Sequence, residues 1–339
     1  PRIDYTDSLT SPSFLLEPQS TNLVEFSEDL SQTSNAVNNG TNTITSNYAI
    51  SPDGTNTADR LVAYSESGIG NYSLRGIIHS TSVAESYTHS VWLKSNTGLN
   101  QNVIFYGRNF QGLQALCEVT NEWKRFDFTG TSNTTNYFAY LGTRPEYGSD
   151  NNIDILVWGL QLEELSYATS YIPTAGSTAT RVEETCLGAG SASTFNSTEG
   201  VLYAEIAALA DDLTFRQITI NDGSNSNYIL IGYRTNSNRI YSQIVSGGVS
   251  QAFISYDVAS ITENHKVALK YSSNSVHLWI DGVKRASDTS ATMPTGLSIL
   301  DFRFPGSAKF YGKTKGIYVF NEALTDDELQ QLTGPEYNS

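Results

Sequence analysis

The sequence predicts an all-β protein built as two tandem antiparallel β-sandwiches, and three observations carry that expectation. Short segments of β-branched and aromatic residues recur between clusters of Gly, Asn, Asp and Ser, the pattern of many short strands joined by turns. The surface vocabulary is that of strands: 26 Gly, 20 Tyr and abundant Ser, Thr and Asn, with only 16% charged residues against 39% hydrophobic ones. At 339 residues the chain exceeds one ordinary sandwich and suits two, each large enough to bury its own core.

In chain order, strands are expected at 87–94, 102–106, 123–128, 153–162, 200–206, 228–233, 266–271 and 276–280. In the last of these, alternation sets Val276, Leu278 and Ile280 on one face as core and His277 with Trp279 on the other. Asp281-Gly282 follows at once and supplies the positive-φ residues that a tight hairpin turn needs. One helix is expected, where Thr325 caps the first turn and Glu328 completes a capping box.

The stretch 170–186, with Pro173 and Gly176, loses strand periodicity and reads as a hinge, so the boundary falls near Arg181. The expected division is an N-terminal connecting segment at 1–20, a first sandwich at 21–175, a linker at 176–190 and a second sandwich at 191–339.

A formal net charge of -15 argues against nucleic acid and against an anionic membrane as partners, because both are bound through Lys and Arg. It suits neutral polysaccharides, cation sites and simple solubility. Cys117 and Cys186 fall one in each half and read as two buried small hydrophobes, with a bridge between the halves as the alternative. No apolar run approaches the roughly 20 residues that span a bilayer, so membrane insertion is not expected. The opening Pro1-Arg2-Ile3, without Met, suggests the C-terminal portion of a longer protein.

Two segments carry a resemblance. The first is Leu15-Leu16-Glu17-Pro18-Gln19-Ser20-Thr21-Asn22-Leu23, followed by Phe26-Ser27-Glu28-Asp29. The second is Trp158-Gly159-Leu160-Gln161-Leu162-Glu163-Glu164 with Tyr167-Ala168-Thr169-Ser170-Tyr171-Ile172-Pro173-Thr174. Together they resemble the ends of a carbohydrate-binding-module-like jelly roll found in bacteriophage tail and head fibre proteins. The second half is similar to concanavalin-like, laminin-G-type domains in Glu199-Gly200-Val201-Leu202-Tyr203, in the hairpin before Asp281-Gly282, and in Lys315-Gly316-Ile317-Tyr318-Val319-Phe320. The resemblance implies two jelly-roll sandwiches, a virion or extracellular location, a cell-surface polysaccharide or glycan receptor, and a homo-oligomer, commonly a trimer, among other virion proteins.

Candidate binding residues follow from counting along strands. Trp92 and Lys94 share a face, as do Trp123 and Arg125; if both strands lie in one sheet, the four form an aromatic and cationic platform for a sugar. The other reading of that face is inter-domain or trimer packing. Tyr106 and Arg108 form a second candidate edge, and His277 with Trp279 a third, unless a terminal segment covers it. Asp150, Asn151, Asn152 and Asp154 offer oxygen ligands for a structural Ca²⁺, with a polar turn as the alternative; no other cofactor is expected.

The chain carries no paired-acid glycosidase strand, Gly-x-Ser-x-Gly elbow, zinc helix or P-loop, and its four His, at 79, 89, 265 and 277, are scattered. A non-catalytic glycan- or receptor-binding part of a phage fibre is therefore the expected function. A structural decoration or adaptor protein, a secreted adhesin, and a depolymerase whose acids come from distant strands are the alternatives.

Overall fold

The computed structural model describes residues 2–5, 10–32, 36–38, 40–108, 114–304 and 308–335; at 36–38, 77–80, 108, 114 and 136–138 it describes the backbone alone. All eight expected strands are present, several longer by a residue or two: 87–94 lies in Ser86–Ser95 and 266–271 in His265–Ser272. The chain forms two compact units, Gln19–Val182 and a second composed of Pro1–Pro18 with Glu183–Ser339.

The unit Gln19–Val182 holds two five-stranded antiparallel sheets. One runs, edge to edge, Lys124–Thr131, Ser86–Ser95, Asn152–Glu163, Ala58–Tyr64 and Thr41–Ala49. The other runs Gln114–Val119, Gln101–Arg108, Asn136–Thr143, Ser73–Ser80 and Ala36–Asn38. Alternate residues of each sheet, among them Val91, Leu93, Ile155 and Val157 facing Val103, Phe105, Ala139 and Leu141, meet in one core.

The segments that carry the first resemblance close this sandwich. Buried Asn22 donates to the carbonyls of Leu160 and Ile172 at 3.1 and 2.9 Å and accepts from the amides of Val24 and Leu162 at 3.0 and 3.1 Å. Glu163, fully buried, accepts from Ser20 Oγ at 2.6 Å, Gln161 Nε2 at 2.7 Å and the Thr169 amide at 2.9 Å. Thr174 Oγ1 donates to the Val24 carbonyl at 2.6 Å. A polar network this fully satisfied clasps the two ends of the unit together.

The other unit packs a seven-stranded sheet against a five-stranded one. The first runs Arg2–Asp4, Ser13–Leu16, Gly312–Phe320, Glu199–Ala208, His265–Ser272, Ser275–Ile280 and Val283–Asp288. The second runs Val249–Asp257, Arg239–Ser246, Tyr228–Tyr233, Arg216–Asn221 and Ile299–Asp301. Between them lies the larger core, with Leu202, Ile206, Leu269 and Leu278 against Ile218, Ile231, Ile240 and Ile244.

Residues 1–20 therefore correct the expectation of a connecting segment. Ser13–Leu16 pairs with Gly312–Phe320 and sends Leu16 into the core, and Arg2–Asp4 adds the outermost strand. Arg2 forms ion pairs with Glu17 and Glu184. The linker expected at 176–190 is likewise engaged: Ala179–Arg181 pairs with Ser20–Asn22, while Ala189 exchanges backbone hydrogen bonds with Leu300. Such short pairings have no periodicity of their own; distant strands supply their partners.

Cys117 and Cys186 are free and lie in different units; burial pushes the Cys117 thiol up to about 12 and leaves it an inert core group. The helix is Asp326–Thr333 with both capping-box bonds formed between Thr325 and Glu328. Asp281 and Gly282 take φ of 50° and 78° and join Ile280 to Val283 in a two-residue turn.

Asp281 also fastens this hairpin to its neighbour, accepting from the Lys266 amide at 3.0 Å and meeting His265 Nδ1 at 2.6 Å. The bond to Asp281 raises the His265 pKa against the opposing effect of burial. The stabilisation from this group is thus full below the unfolded value of about 6.5 and is lost as pH rises through the higher folded one. The urea midpoint of this unit is expected to fall between about pH 6 and pH 8.5, and His265→Gln to flatten that fall. An equal decline in the variant would reject the assignment.

Candidate functional site

A candidate site lies on the outer face of the five-stranded sheet in the second unit; a larger cavity of about 440 Å³, lined by Phe26, Glu28, Asp29 and Thr174 among others, lies in the first. Alternation buries Ile218, Ile220, Ile229, Ile231, Ile240 and Ile244, so their neighbours in sequence face outward. Register aligns Gln217, Gly232 and Tyr241 in one row, and Thr219, Leu230, Gln243 and Phe253 in the next. Gly232 sits between Gln217 and Tyr241, where a Cβ would lie 2.3 Å from the Arg216 carbonyl oxygen. The floor is therefore bare there, and Gln217 reaches across it to hydrogen-bond the Tyr241 hydroxyl.

Around this floor is an open groove of about 300 Å³, with Phe215, Phe253 and Phe304 as walls. Phe304 meets Tyr228 edge to face at 5.0 Å, and Tyr241 lies 5.7 Å from Phe253. Arg234 Cζ lies 4.8 Å from the Phe253 ring centre, 5.4 Å from Tyr241 and 5.6 Å from Phe215. Phe253 and Phe215 are 43% and 40% exposed, an unusual cost for two rings in one patch. Burial pushes the Tyr241 phenol up to about 12, so it is a neutral hydroxyl at ordinary pH. Phe215, Phe253 and the partly exposed Phe304, Gln243 and Arg234 can stack on and hydrogen-bond a ligand, while Tyr228, Tyr241 and Gln217 are buried beneath them as the floor; the groove lining holds no carboxylate to act as acid or base.

Sequence reasoning missed this groove. Alternation in Ile240-Tyr241-Ser242-Gln243-Ile244 and in Ala252-Phe253-Ile254 does set Tyr241, Gln243 and Phe253 opposite the core, which is the signal that was available. That Phe215, Arg234 and Phe304 join them depends on sheet order.

The residues singled out from sequence are distributed over four places. Ser86–Ser95 and Lys124–Thr131 do lie side by side, with Arg125 directly opposite Trp92. Arg125, however, donates to the Thr169 carbonyl at 2.6 Å and to Ser90 Oγ at 2.8 Å. Trp92 packs over Gly159, where a Cβ would approach its ring to 3.0 Å. Trp123 is partly buried and donates to the Ile50 carbonyl at 3.3 Å, and Lys94 is partly exposed nearby in register. The protein itself thus uses much of this platform.

Tyr106 belongs to a tyrosine cluster on the other sheet of that unit, 5.2 Å from Tyr140 and 6.4 Å from Tyr147. Arg144 lies 4.0 Å above Tyr147 but is paired with Glu146. The side chains of Arg108 and His79 and the whole of Asn109 and Phe110 lie outside the described residues.

Trp279 is 6% exposed, packed with Tyr203, Ala268 and Leu329, so the C-terminal helix covers it and a sugar cannot stack there. His277 is partly buried beside Asp326; burial, then the charges of Lys284 and Lys270, push its imidazole down. The calcium expectation is corrected as well. Arg60 occupies both Asp154 oxygens at 2.7 and 2.6 Å, Asp150 accepts from the Asn102 amide at 2.9 Å, and Asn152 is exposed. The Arg60 guanidinium thus already neutralises the Asp154 carboxylate. Among the described residues no three His, Cys, Asp or Glu converge as a metal cluster.

Fold and groove define the class: an all-β protein of two antiparallel sandwiches, the second with an aromatic groove on the outer face of one sheet. No protein-family model matches the sequence, and neither does any curated protein. Among solved structures, the chain is similar to the tandem CBM22-1-CBM22-2 domains of Paenibacillus barcinonensis Xyn10C, at 10% identity and TM-score 0.30, covering 91% of this chain and 98% of that one. It is similar to domains LG4-5 of the mouse laminin alpha1 chain at 11% identity and TM-score 0.29, over 72% and 85% of the two chains. Domain 4 of the Geobacillus stearothermophilus arabinanase AbnA, in complex with arabinotriose, matches at 15% identity and TM-score 0.34, over 50% and 80%. Likenesses this remote carry no functional argument, and the class rests on the sheets and the groove themselves.

Proposed function

We propose that this chain is a non-catalytic glycan-binding protein that recognises a host cell surface as part of a bacteriophage fibre or spike. The observation that carries the binding part is the open groove, where exposed Phe253 and Phe215 stand beside the Gln217–Tyr241 pair and Gln243. Sugars present C–H faces that stack on such rings and hydroxyls that bond such amides. The resemblance of both halves to fibre modules supports the setting. It also supports a virion or extracellular location, a cell-surface polysaccharide as receptor, and assembly as a homotrimer with other virion proteins.

The test is binding of the intact chain to a glycan array and to host cells, beside folded Phe253→Ala, Trp92→Ala and Trp123→Ala variants. Phe253→Ala is expected to weaken binding at least tenfold, about 1.4 kcal/mol, since a stacked ring contributes that much. The two Trp variants are expected to bind within about twofold, a change of under 0.5 kcal/mol. Loss in a Trp variant alone would move the site to the first sandwich. Absence of binding to every glycan and cell would sink the glycan reading.

A further inference from the structure

We infer that the groove takes an acidic saccharide, a sugar residue bearing a carboxylate or sulfate, and that Arg234 is the residue that selects it. This rests on the glycan reading of the same groove. Three neighbouring arginines of the unit each face a carboxylate: Arg216 with Asp212 at 2.8 Å, Arg239 with Asp257 at 2.6 Å, and Arg303 with Asp301 at 3.6 Å. Arg234 has no such partner among the described residues, and its Nε is buried without a hydrogen bond. In a chain of net charge -15, Arg234 thus brings a positive charge to a groove whose lining holds no carboxylate.

Its geometry states what it can hold. Rings of Phe215, Tyr241 and Phe253 crowd the guanidinium at 4.8 to 5.6 Å, which fixes its position and leaves donors unused by protein. A guanidinium so placed matches a carboxylate or sulfate with two parallel hydrogen bonds, while the rings receive the adjacent pyranose. The partly exposed Gln243 also lines the groove; its Nε2 donates to Ser250 Oγ, and its amide oxygen can accept from a hydroxyl. A neutral sugar would leave the cation unpaired in a partly desolvated site.

The experiment is an array of defined uronate, sialate, sulfated and neutral oligosaccharides probed with the intact chain. Calorimetry then follows on the best acidic hit and on its methyl-esterified or desulfated counterpart. Hits are expected among acidic sugars, with affinity falling as NaCl rises. Arg234→Gln should weaken the acidic hit at least tenfold more than it weakens the neutral counterpart, whereas Phe253→Ala should weaken both alike. Uronate or sialate hits against sulfated ones identify which anionic group is bound. Equal binding of acidic and neutral forms, or no effect of Arg234→Gln, overturns the proposal while the glycan reading stands. No binding at all, or binding that Phe253→Ala does not alter, overturns the groove as a glycan site and the proposal with it.

Discussion

A fragment beginning at Glu183 is expected to lose most of the stability of the second sandwich. Cutting there removes Arg2–Asp4 and Ser13–Leu16 from the seven-stranded sheet and strips the edge of Gly312–Phe320. Leu15 and Leu16 are 7% and 2% exposed, and Phe14 packs edge to face on Phe302 at 5.9 Å. At about 2 kcal/mol for buried Leu16 and a similar amount for the Phe14 ring packed on the same core, the loss is on the order of 4 kcal/mol. That is close to the whole stability of a marginal domain. Urea unfolding of residues 183–339, with and without residues 1–18 rejoined ahead of Glu183 through a Gly/Ser linker, is the measurement. A cooperative transition at the same midpoint in both would show that the N-terminal strands are ornamental.

The second large effect is expected from Glu163→Ala in the first sandwich. The substitution leaves Ser20 Oγ and the Thr169 amide without their acceptor, in a place water does not reach, and leaves Gln161 Nε2 only its longer bonds to the Thr169 and Ser170 carbonyls. Each buried unsatisfied donor costs about 1–3 kcal/mol, so a loss of about 3–5 kcal/mol is expected. Glu163→Gln should recover part of it, because the amide oxygen still accepts while its NH₂ opposes a donor. Three of the four tryptophans, Trp92, Trp123 and Trp158, lie in this unit, so indole fluorescence follows its unfolding. A shift below about 1 kcal/mol would mean that the network is dispensable.

These two sites show how a sequence signature and a binding site can be different things. Trp158 to Glu163 and Tyr167 to Thr174 carry the resemblance of the first half, and in the structure they are the clasp: Gln161 and Thr169 donate to Glu163, and Asn22 bonds the backbone of Leu160 and Leu162. Trp158 itself is buried against Tyr171, with ring centres 4.4 Å apart. Residues spaced for closing a fold inform on the fold and are silent about its ligand.

The amino-acid sequence alone was enough to establish the all-β class, eight of the strands, the Asp281-Gly282 turn and the Thr325–Glu328 capping box. Each depends on neighbours within a few residues, where side-chain period and backbone preference act directly. It also determined that Trp92 and Arg125 share a face, given that their strands are adjacent. The tertiary structure was needed to place Ser13–Leu16 beside Gly312–Phe320, some 300 residues away, to lay the C-terminal helix over Trp279 and to bring Arg60 to Asp154. It alone gathered Phe215, Arg234, Tyr241, Phe253 and Phe304 into one groove. Strand order is set by which apolar faces can be buried together across the whole chain, and that is a long-range quantity no local pattern contains.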